Sequence, residues 1–148
     1  ATVRIVAGSA YGKRSPVSVQ GELFYVDAKL PAGAELPLPD EYRQRAAYLI
    51  EGEAEAGDEA LRQRELALFT PGTDRRIRAK SDAHVVLLGG APLDAPRYLW
   101  WNFVASSEER LQQASQEWRD KHWPMVEGDE EFIPLPEGRR KTVRLDAE

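Results

Sequence analysis

From residue 3 to residue 88 the chain is a series of short apolar runs, most of them closed by glycine or proline before a helix could be completed. Residues 3–7 end at Gly8, and the loop GSAYGKRSP leads to the short run VSV at 17–19. Residues 23–30 (LFYVDAKL) lie between Gly21 and the PAG at 31–33. Residues 46–50 (AAYLI) enter EGE, residues 54–57 follow, and 65–69 (ELALF) enter TPG. Residues 76–79 and 84–88 (HVVLL) complete the series at Gly89 and Gly90. Even spacing, β-branched and aromatic content and turn residues between the runs predict an all-β fold, a β-sandwich or barrel. No segment before residue 100 could supply the crossover helix that parallel strands require. EGE and TPG are the tight corners, where Gly52 and Gly72 allow backbone angles that a side chain resists. Pro37 and Pro39 have no amide donor, so LPLP is an edge or a loop.

After residue 97 the pattern changes. The segment RYLWWNFVASSEER holds two of the four tryptophans, and Trp118 and Trp123 follow. Read as an extended segment, Trp100 and Trp101 point to opposite faces, one inward and one toward a neighbour. A helix is predicted from about 107 to 121. Ser106 and Glu109 form an S-x-x-E capping box, and Glu108 and Glu109 suit the amide end of the dipole. Leu111, Ala114 and Trp118 recur at helical spacing, so one face is apolar and is expected to cover the barrel or its edge. Pro124 is read as the stop. The tail EFIPLPEG, stiffened by two prolines, is read as an extended strap. The whole of 1–148 is read as one domain, with a barrel over about 1–100 and the aromatic segment, helix and tail after it.

Composition narrows the chemistry. The net charge of −5 argues against direct nucleic-acid binding, which needs concentrated positive charge. The basic run Arg139, Arg140, Lys141 and Arg144 sits beside Asp146 and Glu148 and is read as a solvated tail. With no cysteine there is no disulfide, thiolate nucleophile or Cys-ligated metal, and a cytoplasmic location is expected. No apolar run approaches a transmembrane length, so no membrane partner is expected. The two histidines, His84 and His122, do not form an H-x-H or H-E-x-x-H motif. His84 opens a strand and is read as structural, and His122 as a dipole partner or surface residue. GSAYGKRS lacks the spacing of a phosphate loop. No nucleophile elbow marks a Ser-His-Asp site.

IVAGSAYGKRSPV, YLIEGEAE, the TPG turn, GGAPLDAPRYLWWNFVASSEER and EFIPLPE together resemble the C-terminal half of a pirin-family protein. Pirins are bicupins, with two cupin β-barrels in one chain. The resemblance implies a cupin-type β-barrel or sandwich with a C-terminal covering helix and an extended tail. It also implies that the metal, usually iron, belongs to the N-terminal barrel, held by three histidines and a glutamate. Some members resemble quercetin dioxygenases, and others regulate transcription or metabolism through partner proteins.

Laid on the cupin pattern, Leu38 and Asp40 stand where metal histidines would be, Gln44 where the glutamate would be, and Arg75 where a further histidine would be. No cofactor is therefore expected in this chain. Either Leu38 and other apolar residues close the cavity, or Asp40, Gln44, Tyr48 and Arg75 are candidates to line its mouth. The start at Ala1 without Met is read as the mark of a truncated or split chain. The resemblance thus implies a metal-free half with a structural and partner-binding role, not an enzyme by itself. Its intact parent would be quercetin 2,3-dioxygenase-like. The expected partner is the N-terminal cupin half or a second copy, met through VRIVAGS and the WWNF region. A small-ligand-binding module and a transcription-associated regulator acting through protein contacts remain the alternatives.

Overall fold

The computed structural model describes residues 1–72, 75–124, 126–138 and 141–146. Two compact units divide the chain, Ala1–Pro92 and Leu93–Glu148.

The first unit is built from β1 (Thr2–Ala10), β2 (Lys13–Arg14), β3 (Leu23–Leu30), β4 (Glu35–Pro37), β5 (Gln44–Glu51), β6 (Ala54–Ala56), β7 (Glu59–Leu61), β8 (Leu66–Phe69), β9 (Arg76–Ala79) and β10 (Ala83–Gly90). They form a six-stranded sheet, in the order β2-β1-β3-β10-β5-β8, and a four-stranded sheet, β4-β9-β6-β7. All the strand pairings are antiparallel. The result is a cupin-type sandwich of two sheets rather than one closed barrel.

Strict alternation places the core. Along β3, Phe24, Val26, Ala28 and Leu30 point inward and are buried. Ala47 and Leu49 of β5, Val85 and Leu87 of β10, and Ile77 and Ala79 of β9 join them in one cluster spanning both sheets. Each large aliphatic or phenylalanine side chain sealed there contributes about 1.5–3 kcal/mol relative to exposure. The EGE corner needs its glycine: Gly52 has φ 85°, and a Cβ there would run into the carbonyl oxygen of Asp82. The prolines behave as anticipated, with β4 on the edge of the four-stranded sheet. VSV, by contrast, is not a strand. The hairpin partner of β1 is Lys13–Arg14, because the turn at Tyr11-Gly12, both with positive φ, reverses the chain earlier.

The second unit contains three strands that the sequence pattern did not reveal. They are β11 (Arg97–Trp100), β12 (Phe103–Ala105) and β13 (Val143–Leu145), ordered β12-β11-β13. Helix α1 (Glu108–Arg119) packs on β11 and β12. Its buried Leu111 and Ala114 meet Phe103 and the half-buried Trp100, Trp101 and Trp118. The apolar stripe of the helix is therefore satisfied within its own unit.

Three details differ from the sequence reading. The N-cap is Ser107, one residue later than Ser106, and its hydroxyl accepts from the Arg110 amide at 3.2 Å. Glu108 and Glu109 then both fall in the first turn, and no capping box forms. The helix ends in a Schellman motif: Lys121 has φ 55°, the His122 amide donates to the Glu117 carbonyl and the Lys121 amide to that of Trp118. This stops the helix before Pro124 is reached. Finally, the chain reverses at Trp101-Asn102, with Trp101 at φ 53°, so Trp100 and Trp101 are not neighbours in an extended strand. Both rings reach Phe103, at 6.2 and 5.4 Å.

The tail is strapped as expected. The Trp118 indole donates to the Ile133 carbonyl at 2.8 Å and stacks on Phe132, and Leu135 packs against the aromatic cluster. Arg144 pairs with Asp146, whereas Arg139 and Arg140 lie outside the described residues. Among the described residues no helix is long and apolar enough to cross a membrane.

Candidate functional site

The sandwich opens at one end into a cavity of about 810 Å³. The loop from β4 to β5 supplies most of its wall, and Tyr11, the Pro71-Gly72 turn and Arg76 supply the rest. Leu38 and Pro39 are buried in the floor, while Asp40 and Glu41 stand exposed in the same loop.

Hydrogen bonds fix the aromatic side of the wall. The Tyr11 hydroxyl donates to the Pro37 carbonyl at 2.7 Å, and the Tyr42 hydroxyl is 2.8 Å from the Ser9 carbonyl, to which it donates. The Tyr42 ring lies 5.0 Å from Phe24 of the core, which ties the loop to the sandwich. Burial, and after it the nearby Glu41 carboxylate, push the Tyr11 phenol up to about 12. Tyr11 is therefore neutral at ordinary pH and adds no negative charge to the cavity.

Positive charge enters from three arginines. Arg45 occupies the inward row of β5, ahead of Ala47 and Leu49, and is only 5% exposed. Arg43 and Arg76 are exposed at the rim.

The residues expected from sequence are only partly brought together. Leu38 and Asp40 line the cavity. Gln44 and Tyr48 do not, because they alternate onto the other face of β5; one position along, Arg45 faces inward instead. The Arg75 side chain turns to the four-stranded sheet, where Nη1 donates to the Ala56 carbonyl at 3.3 Å. It lies over Gly57, φ 63°, whose missing Cβ leaves room for the guanidinium. Tyr11, Tyr42, Arg43, Arg45 and Arg76 went unnoticed in sequence. Counting back in twos from Leu49 would have placed Arg45 inward.

The side chains do not fit a metal ion. Among the described residues no group of three or more His, Cys, Asp or Glu could hold one. Leu38 presents carbon, Gln44 faces away, and a buried guanidinium repels a cation. His84 is committed elsewhere, with Nε2 2.5 Å from the Asp27 carboxylate across β10 and β3. His122 is exposed beyond the helix end. The cavity wall thus mixes guanidinium, carboxylate, phenol and apolar groups.

Residues 25–131 match the Pirin C-terminal cupin domain. The chain belongs to the pirin family. A Pirin-like protein of Caulobacter vibrioides is 42% identical over 135 residues, covering 90% of this chain and 46% of that protein. A provisionally named quercetin 2,3-dioxygenase of Pseudomonas aeruginosa is 31% identical over 156 residues, covering 99% of this chain and 47% of that protein. The crystal structure of a quercetin 2,3-dioxygenase from Acinetobacter baumannii superimposes with a TM-score of 0.77 at 24% identity, over 93% of this chain and 49% of the other. The pirin-family chain thus spans about half the length of the relatives it matches, and it corresponds to their C-terminal cupin.

Proposed function

We propose that this chain serves as the metal-free cupin half of a two-cupin pirin, with a structural and partner-binding role in the cytoplasm. Iron and any quercetin-like dioxygenase chemistry belong, on this reading, to the N-terminal cupin. The observation that carries it is the donor set: on the cupin spacing leucine, glutamine and arginine stand at three of the four metal positions, and among the described residues no group of three or more His, Cys, Asp or Glu could hold an ion.

The surface supports a partner. β8 is an edge of the six-stranded sheet, and its Leu66 and Leu68 are 50% and 77% exposed. Unpaired edges with apolar side chains favour association. VRIVAGS contributes less apolar surface than its composition suggested, since only Val3 among its large apolar residues is exposed, at 38%. In WWNF, Phe103 is buried and both tryptophans are half-buried.

The test is to add the separately expressed N-terminal cupin half to this chain and follow mass by light scattering. A one-to-one complex, or a dimer of this chain alone, supports the reading, and Leu68→Lys should weaken it. A chain that stays monomeric at all concentrations and ignores the N-terminal half rejects it.

A further inference from the structure

We infer that the β8 edge is a pairing surface for a second copy of this chain, whose own β8 adds antiparallel with Leu66 of one copy opposite Leu68 of the other. The inference rests on the partner-binding reading above and names the partner.

A comparison of the sheet edges singles out β8. Among the described residues most edge strands are guarded. β2 is Lys13-Arg14, and β1, which it covers only in part, carries exposed Arg4. β4 holds Glu35 and the amide-free Pro37, β7 an exposed Glu59, and β13 has Arg144 at its centre. Charge and proline oppose strand addition. β8 has neither, since it reads Leu66, Ala67, Leu68, Phe69. β12 is also uncharged, but it is three residues long and its Phe103 is buried in its own unit.

The strand that this edge accepts can be specified. Ala67 and Phe69 turn toward the core, and Leu66 and Leu68 turn to the outer face beside Tyr48 and Ala46 of β5. Ile50 continues that face and is exposed. An added strand must have an open edge of its own, carry aliphatic side chains at alternate positions on the same face, and oppose no like charge. β8 of a second copy meets all three conditions. A two-fold axis through Ala67 sets each Leu66 against the other copy's Leu68, Glu65 against Phe69 and Arg64 against Thr70, so no charge meets its like. Moving the axis to Leu68 would bring the amide-free Pro71 opposite Glu65, and moving it to Leu66 would set Arg64 against Leu68. The register is thereby fixed. One strand and two leucine pairs make a contact below standard size, so the dimer is weak, with a Kd of about 10–100 μM.

The chain has no cysteine, so introduced thiols report the register without background. Isotope-labelled Leu66→Cys chain would be mixed with unlabelled Leu68→Cys chain and oxidised at about 200 μM, above the expected Kd, and the linked dimers told apart by intact mass. Directly opposed residues lie within disulfide reach and diagonal ones at its limit, so the mixed dimer should exceed either self-linked dimer about tenfold. By sedimentation the unsubstituted chain should dimerise with concentration. Leu68→Lys, which supplies the missing guard, should raise the Kd at least about tenfold. Val104→Lys, exposed on β12, should leave it unchanged. Linked dimers in random proportion, a dimer that tolerates Leu68→Lys, or one lost with Val104→Lys would overturn this pairing and leave the partner-binding reading standing. So would a chain that stays monomeric yet binds the N-terminal cupin half, or a dimer that dissolves when that half is added, since the edge would then belong to that half. A monomer that also ignores the N-terminal half would reject both.

Discussion

The two units of the chain reach stability by different means. The sandwich of Ala1–Pro92 packs aliphatic side chains in period-two rows, and its centre is nearly sealed: Val26, Ala28, Ala47, Ile77, Val85 and Leu87 have no exposed surface. The unit Leu93–Glu148 has few sealed residues and relies on rings. Trp101, Trp118, Trp123 and Phe132 meet edge-on or stacked at 5.4–6.0 Å, with Phe103 beneath them. Each such pair adds about 0.5–1.5 kcal/mol beyond its buried area. A core made of many small buried contributions is spread over several strands. A ring cluster concentrates its contribution in a few side chains and the single strap they hold.

Four substitutions would break or sharpen this contrast. The largest effect is expected for Phe24→Ala, which empties the sandwich centre and costs about 3–5 kcal/mol by urea denaturation. Leu111→Ala, the one helix residue with no exposure, should cost about 2–5 kcal/mol in the second unit. If the units unfold separately, each substitution will shift one transition and leave the other in place. Trp118→Phe keeps a ring but removes the indole donor to Ile133. It should cost about 1 kcal/mol and speed amide exchange in 132–135 more than in the helix. Ser107→Ala removes the N-cap acceptor for the Arg110 amide and should cost about 1 kcal/mol; Ser106→Ala should cost much less.

A fifth effect is read in pH rather than in size. The folded chain keeps the Tyr11 proton up to about pH 12, whereas the unfolded chain releases it near 10. The stability this contributes is fully present below pH 10 and is lost as pH rises through 12. Tyr11→Phe should flatten the decline of stability between those values. An unchanged slope would remove the buried phenol from the account.

The sandwich was legible because its signals are local. Residues 23–30 and 76–79 read as strands at their true ends, since alternation and flanking turn residues agree there. The second unit was less so. β11 and β12 are short and depend on a turn at Trp101, a residue rarely found at positive φ, so nothing local announced the reversal. β13 pairs with β11 across more than forty residues, a contact no periodicity encodes. At the site, the cupin spacing pointed to Leu38 and Asp40 as metal positions, and both stand in the cavity wall. It failed at Gln44 because a displacement of one residue turns a strand side chain to the other face. Arg75 was lost to a local acceptor, the Ala56 carbonyl, that sequence does not reveal.

The central proposal is that this cupin half holds no metal of its own, and loading with iron tests it most directly. The purified chain would be incubated anaerobically with excess Fe(II), desalted, and its iron measured by mass spectrometry. The account expects far less than one iron per chain, with no change in thermal stability. Iron held near one atom per chain and accompanied by a rise in melting temperature would contradict it.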